Sequence, residues 1–317
     1  MEKLTSEDAV SLSDQQHDSN LKNNQPLEDP RSKYPKPPFE RQFQPFPGLA
    51  HKMNPVPDHG EESYIGSGRL KGRKALITGG DSGIGRAAAI AYAREGADVV
   101  ISYLPEEQSD ADQVLQLIEK AGSKGFGIPG DLREEYFCKD LIAQTVEKLG
   151  GLDILINNAG HQKTNESILD ITTEAFDRTM KTNIYAPFWL IKAALPHLKP
   201  GSNIIGLSSV QAYDPSEDLY DYAQTKAATT SYVKSLAKQL GPKGIRVNGV
   251  APGPVWTALE ISGGQTQENI EIFGQDTAFG RPGQPAELAS IFVQLAANDA
   301  SFATGQIYGS AGGSGQP

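Results

Sequence analysis

Tyr222 and Lys226, in the run YAQTK, are two residues whose types and spacing could perform acid–base chemistry together. Residues four apart lie on one face of a helix. A free tyrosine has a pKa of about 10 and is therefore a poor base near neutral pH. A nearby ammonium group favours the phenolate and lowers that pKa. No other tyrosine of the chain is followed four residues later by a lysine, although a solvated helix face would also explain the pair.

A second stretch with chemical potential is the glycine-rich run TGGDSGIG, from Thr78 to Gly85. It follows the apolar run KALI and opens an Ala-rich helical stretch. Glycines allow a tight turn and a close backbone approach, and a helix N-terminus suits a pyrophosphate. The spacing G-x-x-x-G-x-G differs from the G-x-G-x-x-G fingerprint of many dinucleotide-binding proteins. Because a strand precedes it and a helix follows, we expect a nucleotide site rather than a simple turn.

The elements that must position these residues alternate between short apolar strands and helical stretches. The predicted strands are KALITGG, DVVISY, KGFGIPGDL, LDILINNAG, SNIIGLSS, IRVNGVAPG and GQIYG. Continuous apolar strands joined by helices indicate a parallel sheet that is covered on both faces. The sequence therefore predicts a single, doubly wound α/β domain of Rossmann type, with about seven parallel strands.

The N-terminal part of the chain differs in composition from this domain. Residues 1–45 are rich in polar residues and proline, which predicts a disordered or extended arm. Residues 46–70 place apolar residues among Pro and Gly, and we expect a coil that packs on the body or on a neighbouring subunit. A flexible linker is the alternative. Residues 71–317 form the predicted catalytic domain.

Composition excludes several classes of partner. The net charge of −10 argues against nucleic acid and anionic membranes, which select clustered Lys and Arg. No apolar run is long enough to span a membrane, and the N-terminus lacks the apolar core of a secretory signal. The single cysteine, Cys138, fits a reducing compartment, and the five histidines show no metal-ligand spacing. We therefore expect a cytoplasmic protein without a metal.

The motifs resemble those of one family when they are taken together. Thr78–Gly85, Asn157–Gly160, Ser209, the Tyr222/Lys226 pair and Pro252-Gly253 occur in the order and spacing of short-chain dehydrogenases/reductases. The similarity extends over about 70–317. The N-terminal coil further resembles a bacterial subgroup of oxidoreductases with an N-terminal extension, some of them called general stress proteins. The resemblance implies an NAD(P)-dependent enzyme that transfers a hydride between nicotinamide and a small carbonyl or alcohol.

The resemblance also implies roles for four catalytic residues. Tyr222 would be the acid/base, and Lys226 would lower its pKa and bind the nicotinamide ribose. Ser209, thirteen residues before the tyrosine, would stabilise the developing oxyanion, with Ser208 as the alternative. Asn183 would anchor a water that relays protons to solvent.

A larger set of residues matches the cofactor contacts of the family. It comprises Thr78, Gly79, Asp81, Ser82, Gly83, Ile84, Gly85, Tyr103, Asp131, Leu132, Asn158, Ala159, Gly160, Tyr222, Lys226, Pro252, Gly253, Val255 and Thr257. Within it, Asp131 and Leu132 would contact the adenine and Asn158 would lie beside the adenosine ribose. The loop from Pro252 to Thr257 would hold the carboxamide of nicotinamide.

The choice between NAD and NADP depends on the end of the second strand. NAD enzymes commonly place Asp or Glu there, and this chain has Tyr103. The missing carboxylate favours NADP. Glu106 and Glu107, and the absence of Arg or Lys nearby, favour NAD, so dual use stays open.

Substrate and assembly are less constrained by the sequence. His161, Gln162, Gln211 and Tyr213 could line the substrate pocket or could equally lie on surface loops. Their mixed polar and aromatic character suits a small aldehyde, ketone or sugar-like alcohol. The resemblance suggests a homotetramer built partly from the helices at 173–199 and 222–240. One alternative is a non-catalytic NAD(P)-binding sensor or scaffold. Another is a sugar-nucleotide epimerase or dehydratase, which shares Tyr-xxx-Lys but tends to carry G-x-x-G-x-x-G and a larger C-terminal domain.

Overall fold

The computed structural model describes residues 27–314, so most of the predicted arm, residues 1–26, lies outside the described residues. The chain divides into two units, one ending at Tyr34 and the other beginning at Pro35. Within the described part of the first unit, Arg31 forms an exposed ion pair with Asp29 at 2.7 Å. The second unit contains the sheet, the helices and the candidate site.

The second unit is built on a seven-stranded sheet with strand order β3-β2-β1-β4-β5-β6-β7. The strands are β1 (Lys74–Thr78), β2 (Asp98–Tyr103), β3 (Gly125–Pro129), β4 (Ile154–Asn157), β5 (Asn203–Leu207), β6 (Arg246–Pro252) and β7 (Ile307–Ser310). All six pairings between neighbouring strands are parallel. The predicted doubly wound sheet is confirmed. Strand order reverses between β1 and β4, and the carboxyl ends of strands at such a point form a crevice.

The helices cover both faces of the sheet. They are α1 (Gly83–Arg94), α2 (Gln108–Lys120), α3 (Glu135–Leu149), α4 (Thr173–Met180), α5 (Ala186–Ala194), α6 (Tyr220–Leu240), α7 (Gln267–Glu271) and α8 (Ala286–Ala296). Buried residues of α1, α2 and α8 belong to one apolar core, and those of α3, α5 and α6 belong to another.

The two cores explain why the strands are apolar without alternation. Successive side chains of a strand point to opposite faces of the sheet. In β1, Ala75 and Ile77 lie in the first core and Leu76 lies in the second. In β2, Val100 likewise lies in the second core while its neighbours lie in the first. A strand buried on both faces therefore needs an apolar residue at each position.

The helical region predicted over about 173–198 is interrupted. A π-helical segment, Lys181–Tyr185, separates α4 from α5. Pro187 is the second residue of α5 and has no backbone N–H to donate to the π-helical turn that precedes it. The π-helical segment carries Asn183, which is buried. Single-turn π segments are frequent at functional sites.

Residues 35–70, which we call the N-terminal coil, pack on the segment that follows β6. Phe39 is buried and stacks on Trp256 with ring centroids 4.4 Å apart. The indole N–H of Trp256 donates to the carbonyl of Pro55 at 2.8 Å. The backbone N–H of Phe39 donates to the carbonyl of Glu271 at 2.9 Å. The packed coil therefore begins within the range that the sequence assigned to the arm.

Among residues 27–314, no helix has the length and apolar character needed to cross a membrane. Over the same span, no three His, Cys, Asp or Glu side chains converge as they would around a metal ion.

Candidate active site

The glycine-rich loop between β1 and α1 is shaped for close backbone contacts. Gly79 and Gly83 adopt positive φ values of 61° and 51°, in the left-handed region that favours glycine. A Cβ on Gly85 would lie 2.0 Å from the carbonyl oxygen of Gly79. A Cβ on Gly83 would lie 3.2 Å from Cγ2 of Thr257. The loop thus brings the N-terminus of α1 to the carboxyl end of the sheet.

Thr78 and Asn158 join the ends of β1 and β4. The hydroxyl of Thr78 accepts hydrogen bonds from the backbone N–H groups of Asn158 (3.0 Å) and Ala159 (3.1 Å). The side-chain amide of Asn158 donates to the carbonyls of Thr78 (2.9 Å) and Gly79 (3.0 Å). Both side chains therefore stabilise the crevice itself.

A cleft opens beside the glycine-rich loop. Twelve of the predicted cofactor residues line it, namely Gly79, Asp81, Ser82, Gly83, Ile84, Tyr103, Asp131, Leu132, Asn158, Ala159, Gly160 and Thr257. Seven do not, namely Thr78, Gly85, Tyr222, Lys226, Pro252, Gly253 and Val255. Lining residues that the sequence did not predict include Phe46, Pro47 and Gly48 of the N-terminal coil. Their only signal in the sequence was an apolar residue among prolines and glycine.

Ser209 and Tyr222 are both buried, at the end of β5 and the start of α6. A hydrogen bond from Ser209 lowers the pKa of Tyr222, but burial and the charge of Glu260 raise it, with burial the larger cause. The alternative serine has a different environment. Ser208 donates to the carbonyl of Lys226 at 3.0 Å and contacts the Thr230 hydroxyl at 2.8 Å. Ser208 is thus tied to α6, whereas Ser209 acts on Tyr222.

Lys226 is buried one helical turn after Tyr222. Its Nζ lies 5.2 Å from the centroid of the tyrosine ring and donates to the carbonyl of Leu207 at 2.8 Å. Burial lowers the pKa of Lys226 to about 8. Burial also holds the pKa of Tyr222 above its ordinary value, which is opposite to the expected direction. The reason is that the free-energy cost of removing the phenolate from water exceeds the stabilisation that the nearby groups provide.

Asn183 is held by three hydrogen bonds. Its Oδ1 accepts from the backbone N–H of His161 at 2.7 Å. Its Nδ2 donates to the carbonyl of His161 at 2.9 Å and to the Thr225 hydroxyl at 3.0 Å. A Cβ built on Gly160 would lie 3.7 Å from Nζ of Lys226 and 3.8 Å from Oδ1 of Asn183. The end of β4, the π-helical segment and α6 thus converge at one point.

Two acidic groups lie near the end of β2, namely buried Asp81 of the glycine-rich loop and half-buried Glu107. Tyr103 lines the cleft, and its hydroxyl donates to Oε1 of Gln108 at 3.0 Å. Burial raises the pKa of Asp81 to about 7, and one of its carboxyl oxygens has no partner among the described residues. Burial, followed by the charge of Asp81, raises the pKa of Glu107 to about 9. Both carboxyls therefore favour the neutral form near pH 7 more than exposed acids do.

The predicted substrate-pocket residues have varied environments. His161 and Gln162 are buried and line a second cavity next to the cleft. Gln211 accepts from the backbone N–H of Ser216 at 2.7 Å, which holds its side chain in a local turn. The hydroxyl of Tyr213 is buried and lacks a hydrogen-bond partner within residues 27–314.

Glu260 is a polar residue of the site that sequence reasoning missed. It lies in a kinked segment, Glu260–Gly264, and is buried. Its carboxylate accepts from Nε2 of Gln162 at 3.4 Å. Burial raises its pKa to about 7, and its charge in turn raises the pKa of Tyr222. No motif marks it, because only the fold brings the segment after β6 to the start of α6.

A doubly wound parallel sheet with this glycine-rich loop at its strand-order reversal defines a nucleotide-binding protein of Rossmann type. Residues 79–314 match a family model described as enoyl-(acyl carrier protein) reductase. A short-chain dehydrogenase from Burkholderia cenocepacia J2315, solved in complex with NADP, superposes with a TM-score of 0.72 and 31% identity. The alignment covers 77% of this chain and 98% of that one.

Three curated relatives are similar over most of the chain. The uncharacterized oxidoreductase YghA of Escherichia coli K12 is 55% identical over 90% of this chain and 98% of that protein. General stress protein 39 of Bacillus subtilis 168 is 50% identical over 82% and 90%. Glucose and ribitol dehydrogenase of Daucus carota is 40% identical over 87% and 96%. The chain belongs to the short-chain dehydrogenase/reductase family and is an NAD(P)-dependent oxidoreductase.

Proposed function

We propose that the protein transfers a hydride between NADP or NAD and a small carbonyl or alcohol, with Tyr222 as the acid/base. The observation that carries this proposal is the convergence of Ser209, Tyr222, Lys226 and Asn183 beside a cleft lined by the glycine-rich loop. The nicotinamide cofactor, when bound, supplies or accepts the hydride.

The four polar residues divide the proton chemistry among them. In the reducing direction Tyr222 donates its proton to the substrate oxygen as that oxygen becomes alkoxide-like. Ser209 donates a hydrogen bond to the same oxygen. Lys226, whose pKa is lowered to about 8, is still mostly protonated at pH 7 and stabilises the phenolate that remains. Asn183 fixes the backbone of His161 and supports proton return from solvent.

The residues that would hold the cofactor fit a dinucleotide. Gly83 lines the cleft at the N-terminus of α1, where a pyrophosphate would bind, and Gly85 lets Gly79 pack closely against the start of that helix. Asp131 lies at the adenine end, but its carboxylate is already paired with Arg133, so the backbone beside it and at Leu132 is the better adenine contact. Asn158 to Gly160 would contact the ribose, and the loop from Pro252 to Thr257 would hold the carboxamide.

We infer that NADP is the favoured cofactor and that NAD is also used. Tyr103 stands where NAD enzymes commonly place a carboxylate, and the Burkholderia relative was solved with NADP. The pKa values of Asp81 and Glu107 are raised to about 7 and about 9, which reduces their repulsion of a phosphate. Comparing kcat/KM for NADPH and NADH tests this inference, and a strong preference for NADH would contradict it.

The proposed substrate is a small aldehyde, a ketone or a sugar-like alcohol. Buried Gln162 and Glu260 offer amide and carboxyl groups for hydroxyl recognition near Tyr222. One relative is named a glucose and ribitol dehydrogenase. The test is a panel of carbonyls and alcohols with both cofactors, followed by the absorbance of NAD(P)H. Turnover of at least one class is expected, and no turnover despite cofactor binding would favour a non-catalytic role.

We further propose a cytoplasmic homotetramer. Helices α4 and α5 and the π-helical segment between them lie within the first range expected to form the subunit interface, and α6 covers the second. Several apolar side chains of this region are exposed. These are Tyr185 (46% exposed), Phe188 (58%) and Tyr220 (47%). Light scattering after size-exclusion chromatography tests the assembly, and a monomeric mass would contradict it. The division into arm, coil and catalytic domain at residues 45 and 70 stays a prediction.

A further inference from the structure

Residues 44–49 of the N-terminal coil form a short loop that is closed by one side chain. The amide of Gln44 donates to the carbonyl of Leu49 at 3.0 Å, and its Oε1 accepts from the backbone N–H of Leu49 at 2.7 Å. The backbone N–H of Gln44 donates to the carbonyl of Ile261 at 3.0 Å. The following residues are tied as well, because the backbone N–H of Ala50 donates to Asp110 at 2.6 Å. The loop is therefore fixed at both ends.

Phe46 lies at the tip of this loop, at the boundary between the cleft and the second cavity. It lines both of them. The guanidinium carbon of Arg178 lies 4.5 Å from the centroid of its ring. The ring of His161 meets it edge-on, with centroids 5.2 Å apart and planes at 85°. A cation over an aromatic face and an edge-to-face ring pair are both favourable arrangements.

These contacts connect Phe46 to the candidate catalytic group. The backbone of His161 is hydrogen-bonded on both sides to the amide of Asn183. Two residues further along, a Cβ on Gly48 would lie 3.1 Å from both the carbonyl oxygen of Ala258 and Cβ of Ser262. The loop thus contacts Arg178 and His161 through Phe46 and lies close to the segment after β6 at Gly48.

We propose that Phe46 is a positioning residue of the active site, through which the N-terminal coil forms part of the wall that holds the cofactor. This proposal rests on the proposed function. The aromatic ring of Phe46 completes the cleft against Arg178 and orders His161. The site is therefore incomplete when the ring is removed. The coil is then a component of the binding site as well as a support for the fold.

The test compares Phe46→Ala with Val56→Ala, a change at an exposed coil residue that lines neither cavity. NADPH and NADH are titrated into the full chain by fluorescence, and kcat and KM are measured for the best substrate. We expect Phe46→Ala to raise the cofactor Kd about tenfold, the loss expected for one aromatic contact. Val56→Ala should leave Kd unchanged. Thermal unfolding without cofactor should shift by less than about 4 °C for Phe46→Ala.

Two conservative variants separate the ring from simple packing. Phe46→Tyr should bind the cofactor with the wild-type Kd. Phe46→Leu should have a Kd between those of the wild type and Phe46→Ala, because leucine offers no aromatic face to Arg178. The comparison of Tyr with Leu stands even if the alanine variant fails to fold. Equal Kd values for Phe46→Ala and Val56→Ala, or full restoration by leucine, would overturn the proposal. Wild-type protein that binds neither cofactor would instead overturn the proposed function.

Discussion

Tyr222 is surrounded by groups that act on its proton in opposite directions. Burial and the carboxylate of Glu260 raise its pKa, and the hydrogen bond from Ser209 lowers it. The phenol is therefore the stable form near neutral pH, which suits proton donation during carbonyl reduction. Alcohol oxidation needs the phenolate instead, so its rate should rise as the pH rises.

Replacing Glu260 with Gln tests this balance. Above pH 7 Glu260 is largely ionised, because its pKa is raised only to about 7. Its removal deletes a negative charge and so lowers the pKa of Tyr222. The ascending limb of kcat/KM for alcohol oxidation should move to lower pH by about 0.5–1 unit. The control is Glu268→Gln, at an exposed carboxylate on α7. An unchanged limb, or a move to higher pH, would show that Glu260 does not act on the tyrosine.

The adjacent serines allow a direct comparison of catalysis with packing. Ser209→Ala removes the donor to the substrate oxygen and should lower kcat by about 10²-fold or more. Ser208→Ala removes hydrogen bonds to the carbonyl of Lys226 and to Thr230. It should retain most turnover and lower the free energy of unfolding by about 1 kcal/mol. Steady-state kinetics and urea unfolding of both variants provide the measurement, and the reverse pattern would assign the role to Ser208.

At the scale of elements, the site is assembled where the ends of strands meet two irregular helical segments. The strands and the glycine-rich loop were readable from sequence, because burial on both faces and tight turns leave local patterns. The π-helical segment Lys181–Tyr185 was not, since the sequence there predicts only ordinary helix within 173–199. Glu260 was missed for a related reason. Its contact with Gln162 spans 98 positions of the chain and leaves no periodic signal.

The glycine-rich loop has no space for a side chain at Gly85. In Gly85→Ala the new Cβ would stand 2.0 Å from the carbonyl oxygen of Gly79, so the loop must move. We expect a loss of about 1–3 kcal/mol in stability and a clearly raised cofactor Kd. Gly241→Ala is the matched control, since Gly241 has helical φ and ψ and open space around its Cα. Because Pro242 disfavours helical dihedrals in a preceding residue that carries a Cβ, Gly241→Ala should cost up to about 1 kcal/mol and leave the cofactor Kd unchanged.

Chemical denaturation and a cofactor titration measure both variants. Wild-type stability and a wild-type cofactor Kd in Gly85→Ala would contradict the prediction, because they would show that the loop accommodates the added Cβ.

At the scale of the whole molecule, the N-terminal coil and the segment after β6 form a common apolar cluster. Phe39 and Met53 of the coil pack with Trp256, Ile261 and other buried residues of that segment. The sequence identified apolar anchors in the coil but not their destination, because such contacts join residues more than 200 positions apart. The coil therefore stabilises the segment that carries Thr257 into the cleft.

Phe39→Ala should reveal how much this cluster contributes to stability. Phe39 is only 7% exposed, and truncating a buried phenylalanine costs about 3–5 kcal/mol. Phe43→Ala, at a ring that is 67% exposed, should cost less than about 0.5 kcal/mol. Urea unfolding at a fixed protein concentration gives both values. Equal stabilities would mean that the coil does not support the domain.

The most direct test of the account is Tyr222→Phe, which removes one hydroxyl and keeps the buried ring. The measurement is kcat for the best substrate beside the NAD(P)H Kd of the same preparation. We predict that kcat falls by about 10³-fold or more while the NAD(P)H Kd changes less than about threefold. Substantial turnover by a variant that binds the cofactor normally would contradict the assignment of Tyr222 as the acid/base.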